Sequence, residues 1–174
     1  MRTLFILRHA QAASPAGTED LHRPLTAQGM ADARALGKLM KAKMYKPDFV
    51  VCSPARRAQQ TYRRLAETLG DMPMTSPSSV YYTTVSNLYE ELKKVDGNVR
   101  NLLLISHNPS IHGFAKFLAG LGTDDSMLRL NAEYRECTLT VLQCPIDGWA
   151  TLMPNENDLA DLLIAGRDFE GKVE

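Results

Sequence analysis

A chain of 174 residues, 44% of them hydrophobic, is long enough to close one core of ordinary globular size. Its 20 Lys and Arg balance its 20 Asp and Glu, which excludes a global field that would recruit nucleic acid or an anionic membrane, so any anion site must be local. No apolar run approaches the roughly 20 residues of a membrane span.

The first predicted strand, Thr3 to Leu7, is apolar enough to be buried on both faces and ends in Arg8-His9. This start reads as a strand, not a signal peptide. A polar loop, Ala10 to Pro24, follows, with Ser14-Pro15-Ala16-Gly17 as its turn and Asp20, His22 and Arg23 near its end. Thr26 is the expected N-cap of a helix to about Met44, burying Met30, Ala33, Leu36, Gly37 and Met40. A second strand, Phe49 to Cys52, runs into Ser53-Pro54-Ala55-Arg56-Arg57. Pro54 suits the first turn of a helix that closes near Gly70 and turns Ala58, Thr61, Tyr62 and Leu65 inward.

Residues 71–79 read as a loop, Val80-Tyr81-Tyr82 as a short edge strand whose aromatics serve packing rather than a stacking platform, and Asn87 to Val95 as a helix. Asp96-Gly97-Asn98 turns the chain into a third strand, Leu102 to Ile105, which ends in Ser106-His107-Asn108-Pro109. Ile111, Phe114, Ala115 and Leu118 then keep helical spacing up to Gly120 and Gly122. Glu136 to Cys144 alternates like a strand with one wetter face, and Asp147-Gly148 suggests a hairpin to Trp149–Leu152. Asn157 is placed as the cap of a last helix to about Ala165, and 166–174 as frayed. The expected fold is a single α/β domain over residues 1–174: a three-layer α/β/α sandwich, mostly parallel, with an antiparallel C-terminal strand or hairpin.

Three strands thus deliver Arg8, His9, Arg57 and His107 to one rim, the edge at which open α/β sheets bind ligands. Guanidinium forks match the oxygens of a tetrahedral oxyanion. Their charge also disfavours protonation of a neighbouring imidazole, leaving it a lone pair for attack on phosphorus. With arginines neutralising the anion, no metal and no cofactor is needed. Cys52, Cys137 and Cys144 lack metal-like spacing and read as buried thiols of a cytoplasmic protein. No glycine-rich phosphate loop follows Cys52, which removes it as a nucleophile. His22 and His112 read as surface or helix-face residues.

Leu7-Arg8-His9-Ala10, Ser53-Pro54-Ala55-Arg56-Arg57-Ala58-Gln59-Gln60-Thr61 and Ile105-Ser106-His107-Asn108-Pro109 resemble the motifs of the histidine phosphatase superfamily. Asp20-Leu21-His22-Arg23-Pro24-Leu25-Thr26 and the short length are most similar to its SixA-type phosphohistidine phosphatase branch. The resemblance covers roughly residues 2–120. It implies that His9 is the nucleophile that becomes phosphorylated, that Arg8 and Arg57 bind phosphate, and that His107 completes the pocket. The motif's spacing selects Arg57 over Arg56. Ala10 stands where many members have glycine. Larger members supply a glutamate as general acid; here Glu90 and Glu91 occupy the corresponding region, and Asp20 is an alternative acid or substrate contact. Ser53, Asn108 and Arg23 stand beside these residues as candidates to support the pocket.

The leading expectation is a metal-independent phosphatase acting through phospho-His9 on a phosphohistidine of a signalling protein. A small phosphate ester as substrate and a non-catalytic phosphate-binding module are the alternatives. Neither nucleic acid nor membrane is expected as a partner, and the oligomeric state is left open.

Overall fold

The computed structural model describes residues 1–173. Seven strands form one sheet: β1 (Arg2–Arg8), β2 (Phe49–Cys52), β3 (Met74–Thr75), β4 (Asn101–Ser106), β5 (Ala119–Leu121), β6 (Thr138–Cys144) and β7 (Asn157–Ile164), in the order β3-β2-β4-β1-β6-β7-β5. All neighbouring pairs are parallel except those of β6, which runs against both β1 and β7. The mostly parallel sheet with an antiparallel C-terminal strand is therefore the architecture observed.

The two-residue period of a strand builds both cores at once. Phe5 and Leu7 of β1, with Leu103 and Ile105 of β4, face α1 (Ala27–Ala42) and α2 (Arg56–Leu69). Leu4, Ile6, Leu102 and Leu104 face the opposite layer, which holds α3 (Val85–Lys93), α4 (Ser110–Leu118) and α5 (Asp124–Ala132). Each of these strand side chains is essentially fully buried, and each contributes about 1.5–3 kcal/mol relative to exposure. Thr26 caps α1 by accepting from the Gly29 N–H, and Gly70 ends α2 at φ 85°.

Register sets the rim. Leu7 and Cys52 both lie level with Ile105, so β1, β2 and β4 end side by side and release Arg8-His9, Ser53 and His107 at one edge. Pro54 lies just ahead of α2, whose N-cap is Ala55.

Five expectations are corrected. Val80-Tyr81-Tyr82 is not a strand; a 3-10 turn over Ser78–Val80 leads into it, and the edge strand is the shorter β3. β6 has no wetter face, because β1 and β7 flank it and helical layers cover both sides. No hairpin follows Gly148: Trp149–Thr151 forms a 3-10 turn that buries Trp149, whose Nε1 donates to the Val99 carbonyl. The segment from Asn157 is β7 rather than a helix, since pairing along β6 outweighs local propensity. The segment after Gly166 is not frayed throughout: the Gly171 N–H donates to Asp32 and its carbonyl accepts from Gln28, tying it to α1. The sequence reading also left α5 without an assignment; Thr123 caps it by accepting from the Ser126 N–H.

Among the described residues, no helix is long and apolar enough to cross a membrane.

Candidate active site

Arg57 is the hub of the rim. It lies in the first turn of α2, with its side chain almost wholly buried. Its Nε donates to His9 Nε2 (3.3 Å) and its Nη2 to His107 Nδ1 (3.2 Å). Nη1 donates to the Asp20 carbonyl (2.7 Å) and Nη2 also to Asp20 Oδ2 (3.1 Å). One guanidinium therefore ties together both histidines and the loop between β1 and α1.

These bonds define the tautomers. His9 donates from Nδ1 to the Ala10 carbonyl at 2.8 Å, leaving its Nε2 lone pair aimed at the Arg57 N–H. His107 accepts at Nδ1 from Arg57 and so donates from Nε2 to Ser53 Oγ at 2.6 Å. The rings lie 5.0 Å apart. Burial, then the nearby His107, Arg57 and Arg8, lowers the His9 pKa to about 3. Burial and then Arg57 lower that of His107 to about 4. Both imidazoles are neutral near pH 7.

The loop after β1 is held from below. Ala10 is fully buried, its methyl absorbed into the core beneath α1 and α2, and its N–H donates to Thr61 Oγ1 at 3.0 Å. Arg8 is aimed by the stretch before β6: its Nη1 donates to the Tyr134 carbonyl (2.8 Å) and its Nη2 pairs with Glu136 (3.3 Å). Arg8 Nε is buried without a partner among the described residues. Asn108 donates to the same Tyr134 carbonyl at 2.9 Å.

Asp20 accepts from Tyr81 Oη, Arg23 and Arg57, which hold its carboxyl down at about 2. It is a carboxylate at neutral pH and has no proton to donate. Glu90 is not brought to the rim: it lies exposed on α3, paired with Lys93 at 3.7 Å. Glu91 pairs with Lys94 on the same helix. Burial pushes the Cys52 thiol far up, in keeping with an inert role. His22 is exposed. His112 stacks on Tyr134 and bonds the Leu130 carbonyl at 2.6 Å, which makes it a tie from α4 to α5 and to the stretch before β6.

A cleft of about 270 Å³ opens over Arg57 and His107, walled by Asp20, Tyr81, Tyr82 and the Asn108–Ser110 stretch. A larger cavity, about 790 Å³, lies between α1 and residues 170–173 and shares no residue with the rim. Among the described residues, no group of three or more His, Cys, Asp or Glu converges as a metal site would require. Sequence reasoning missed Tyr81 and Glu136. Tyr81 had one visible signal, an aromatic pair next to a Ser/Pro-rich loop; Glu136 had none, since only tertiary folding brings it to Arg8.

The arrangement combines a neutral imidazole lone pair, two guanidinium groups and a second neutral imidazole in one buried edge, which is what transfer of a phosphoryl group needs. A model described as the histidine phosphatase superfamily (branch 1) matches residues 4–78. An uncharacterised protein of Mycobacterium tuberculosis is 33% identical over 150 residues, covering 85% of this chain and 92% of that protein. The phosphohistidine phosphatase SixA of Escherichia coli is 28% identical over 113 residues, 62% of this chain and 68% of that protein. A structure assigned as SixA of Nakamurella multipartitia superposes with a TM-score of 0.78 at 26% identity, covering 94% of this chain and 95% of that one.

Proposed function

From the premise that this chain belongs to the histidine phosphatase superfamily, in its SixA-type branch, and is a phosphatase, we propose that it works through phospho-His9 on phosphohistidine carried by a signalling protein. The observation that carries this reading is the His9 ring: buried, neutral, donating from Nδ1 to Ala10, with its Nε2 lone pair beside Arg57.

In the first step His9 Nε2 attacks phosphorus, and the phosphorus–nitrogen bond of the substrate breaks. A phosphoimidazole protonated on its other ring nitrogen leaves as neutral imidazole, so the enzyme need not supply a proton. Phospho-His9 keeps its proton on Nδ1. Water then attacks phosphorus, the bond to Nε2 breaks, and dihydrogen phosphate and neutral His9 result. Arg8 and Arg57 hold the phosphoryl oxygens through both steps, Arg8 offering its unpartnered Nε–H. His107, its one N–H held by Ser53, keeps Arg57 aimed at these oxygens by accepting from Nη2 at Nδ1, and the charge on the arginines makes a metal unnecessary.

The substrate follows from the acid. An alkoxide leaving from a sugar phosphate needs protonation, and Asp20 is held ionised while Glu90 lies elsewhere. A substrate that brings its own proton fits this site better. The open cleft, with only a short turn above it, suits a side chain presented by another protein. Three buried free thiols agree with residence in the cytoplasm.

The test is mass spectrometry of the protein pulsed with phosphoramidate and quenched at high pH, where phosphohistidine survives. An adduct on His9 that is absent from His9→Ala, formed equally with a chelator present, is expected. No adduct in a protein that still releases phosphate would sink the covalent route. Higher kcat/KM for sugar phosphates than for a phosphohistidine peptide would transfer the assignment to a small-molecule esterase.

A further inference from the structure

The rim carries two aromatic rings that neither anion binding nor core packing uses. Tyr81 and Tyr82 sit on a turn that is pinned on both sides of His107. Ser106 Oγ donates to the Val80 carbonyl at 2.8 Å, and Ser110 Oγ donates to the Thr83 carbonyl. The Tyr81 hydroxyl is anchored on the Asp20 carboxylate. Its ring stands edge-on to His107 at 5.6 Å and lies 6.0 Å from the Arg57 guanidinium carbon. Tyr82 is 77% exposed, yet its ring packs on the anchored Tyr81 at 4.3 Å. A tyrosine this exposed ordinarily samples several rotamers; here its neighbour, its backbone turn and that turn's flanks are all tied down.

Direction matters next. In-line displacement sends the leaving group away from the nucleophile. His9 is buried and does not itself line the cleft, whereas Arg57 and His107, both bonded or packed against it, do; a leaving group displaced away from His9 therefore moves into the cleft and toward its mouth. The mouth is where Tyr82 lies.

We propose that Tyr82, backed by Tyr81, is a stacking platform for the leaving group, a specificity-determining residue that favours a leaving group with a flat ring over one without a ring. The inference rests on the phosphohistidine reading above and names the feature that would select imidazole. A tyrosine face also attracts the positive charge of a phosphoimidazole protonated on its distal nitrogen. Ring stacking of this kind corresponds to roughly a three- to tenfold preference.

The experiment compares wild type, Tyr82→Ala and Tyr82→Phe on two ring substrates, phosphoimidazole and p-nitrophenyl phosphate, and two without a ring, phosphoramidate and acetyl phosphate. Tyr82→Ala is expected to lose roughly three- to tenfold more kcat/KM on phosphoimidazole than on phosphoramidate, and Tyr82→Phe to recover that difference. Equal losses on both, or a Tyr82→Phe variant that behaves as Tyr82→Ala does, overturn the platform. If wild type turns over neither phosphorus–nitrogen compound, the phosphohistidine reading fails on its own. The platform is then decided by the other pair: a selective loss on p-nitrophenyl phosphate over acetyl phosphate supports it, and equal losses overturn it.

Discussion

At the scale of the residue, one guanidinium organises the rim. Arg57 reaches both histidines and Asp20 at hydrogen-bond distance, and its charge helps keep both imidazoles neutral. That neutrality has a measurable cost in acid. In the unfolded chain His9 and His107 take up protons near their ordinary value of 6.5, while in the folded protein they do so only near 3 and 4. The unfolded state therefore binds more protons below pH 6.5, and stability rises with pH across that window. The two histidines' contribution is full above pH 6.5 and is lost progressively as pH falls, to about 4 for His107 and about 3 for His9. Urea midpoints measured from pH 7.5 to 4.5 should fall in wild type and fall less steeply in His107→Gln. Identical slopes would show that His107 is not held neutral. Asp20, lowered from its ordinary value of 3.8 to about 2, adds its own loss mainly below pH 4.5, beneath the range measured.

At the scale of the element, the loop between β1 and α1 is placed by a close backbone approach. An added Cβ at Gly29 would lie 2.1 Å from the Gln11 carbonyl oxygen, and that same carbonyl accepts from the Thr26 N–H. Alanine would raise intrinsic helix propensity by about 1 kcal/mol, but the clash is with main chain and cannot be relieved by a rotamer change. Gly29→Ala is expected to destabilise by about 1–3 kcal/mol in denaturant titration. It should also lower kcat/KM by displacing the loop that carries Asp20 onto Arg57. A gain in stability would mean that the loop yields freely. The glycine is visible in the sequence as an ordinary helix residue; the contact that requires it is not.

At the scale of the whole molecule, the central strands serve both helical layers at once. Leu104 of β4 is fully buried on the side opposite α1 and α2, two residues before Ser106 at the strand's end. Leu104→Ala should cost about 2–5 kcal/mol, read as a lower urea midpoint with an unchanged slope. If the sheet relaxes only locally, the variant still forms the His9 adduct at temperatures where it is folded. Loss of adduct in a fully folded Leu104→Ala protein would show that the rim depends on packing well behind it.

What the sequence determined by itself was whatever rests on local pattern: two central strands apolar on both faces, α1 with its Thr26 cap, α2 with its Gly70 stop, and the reactive residues at strand ends. Periodicity and capping are short-range, so they suffice to bring Arg8, His9, Arg57 and His107 to one rim. The tertiary structure decided the rest. The segment from Asn157 looks locally like a capped helix, but the open edge of β6 takes it as a strand because backbone pairing is gained only there. Tyr81 reaches Asp20 across 61 positions of sequence, and Glu136 reaches Arg8 across 128. Contacts at such separations leave no periodic trace, since nothing in a neighbouring turn or strand repeats with them.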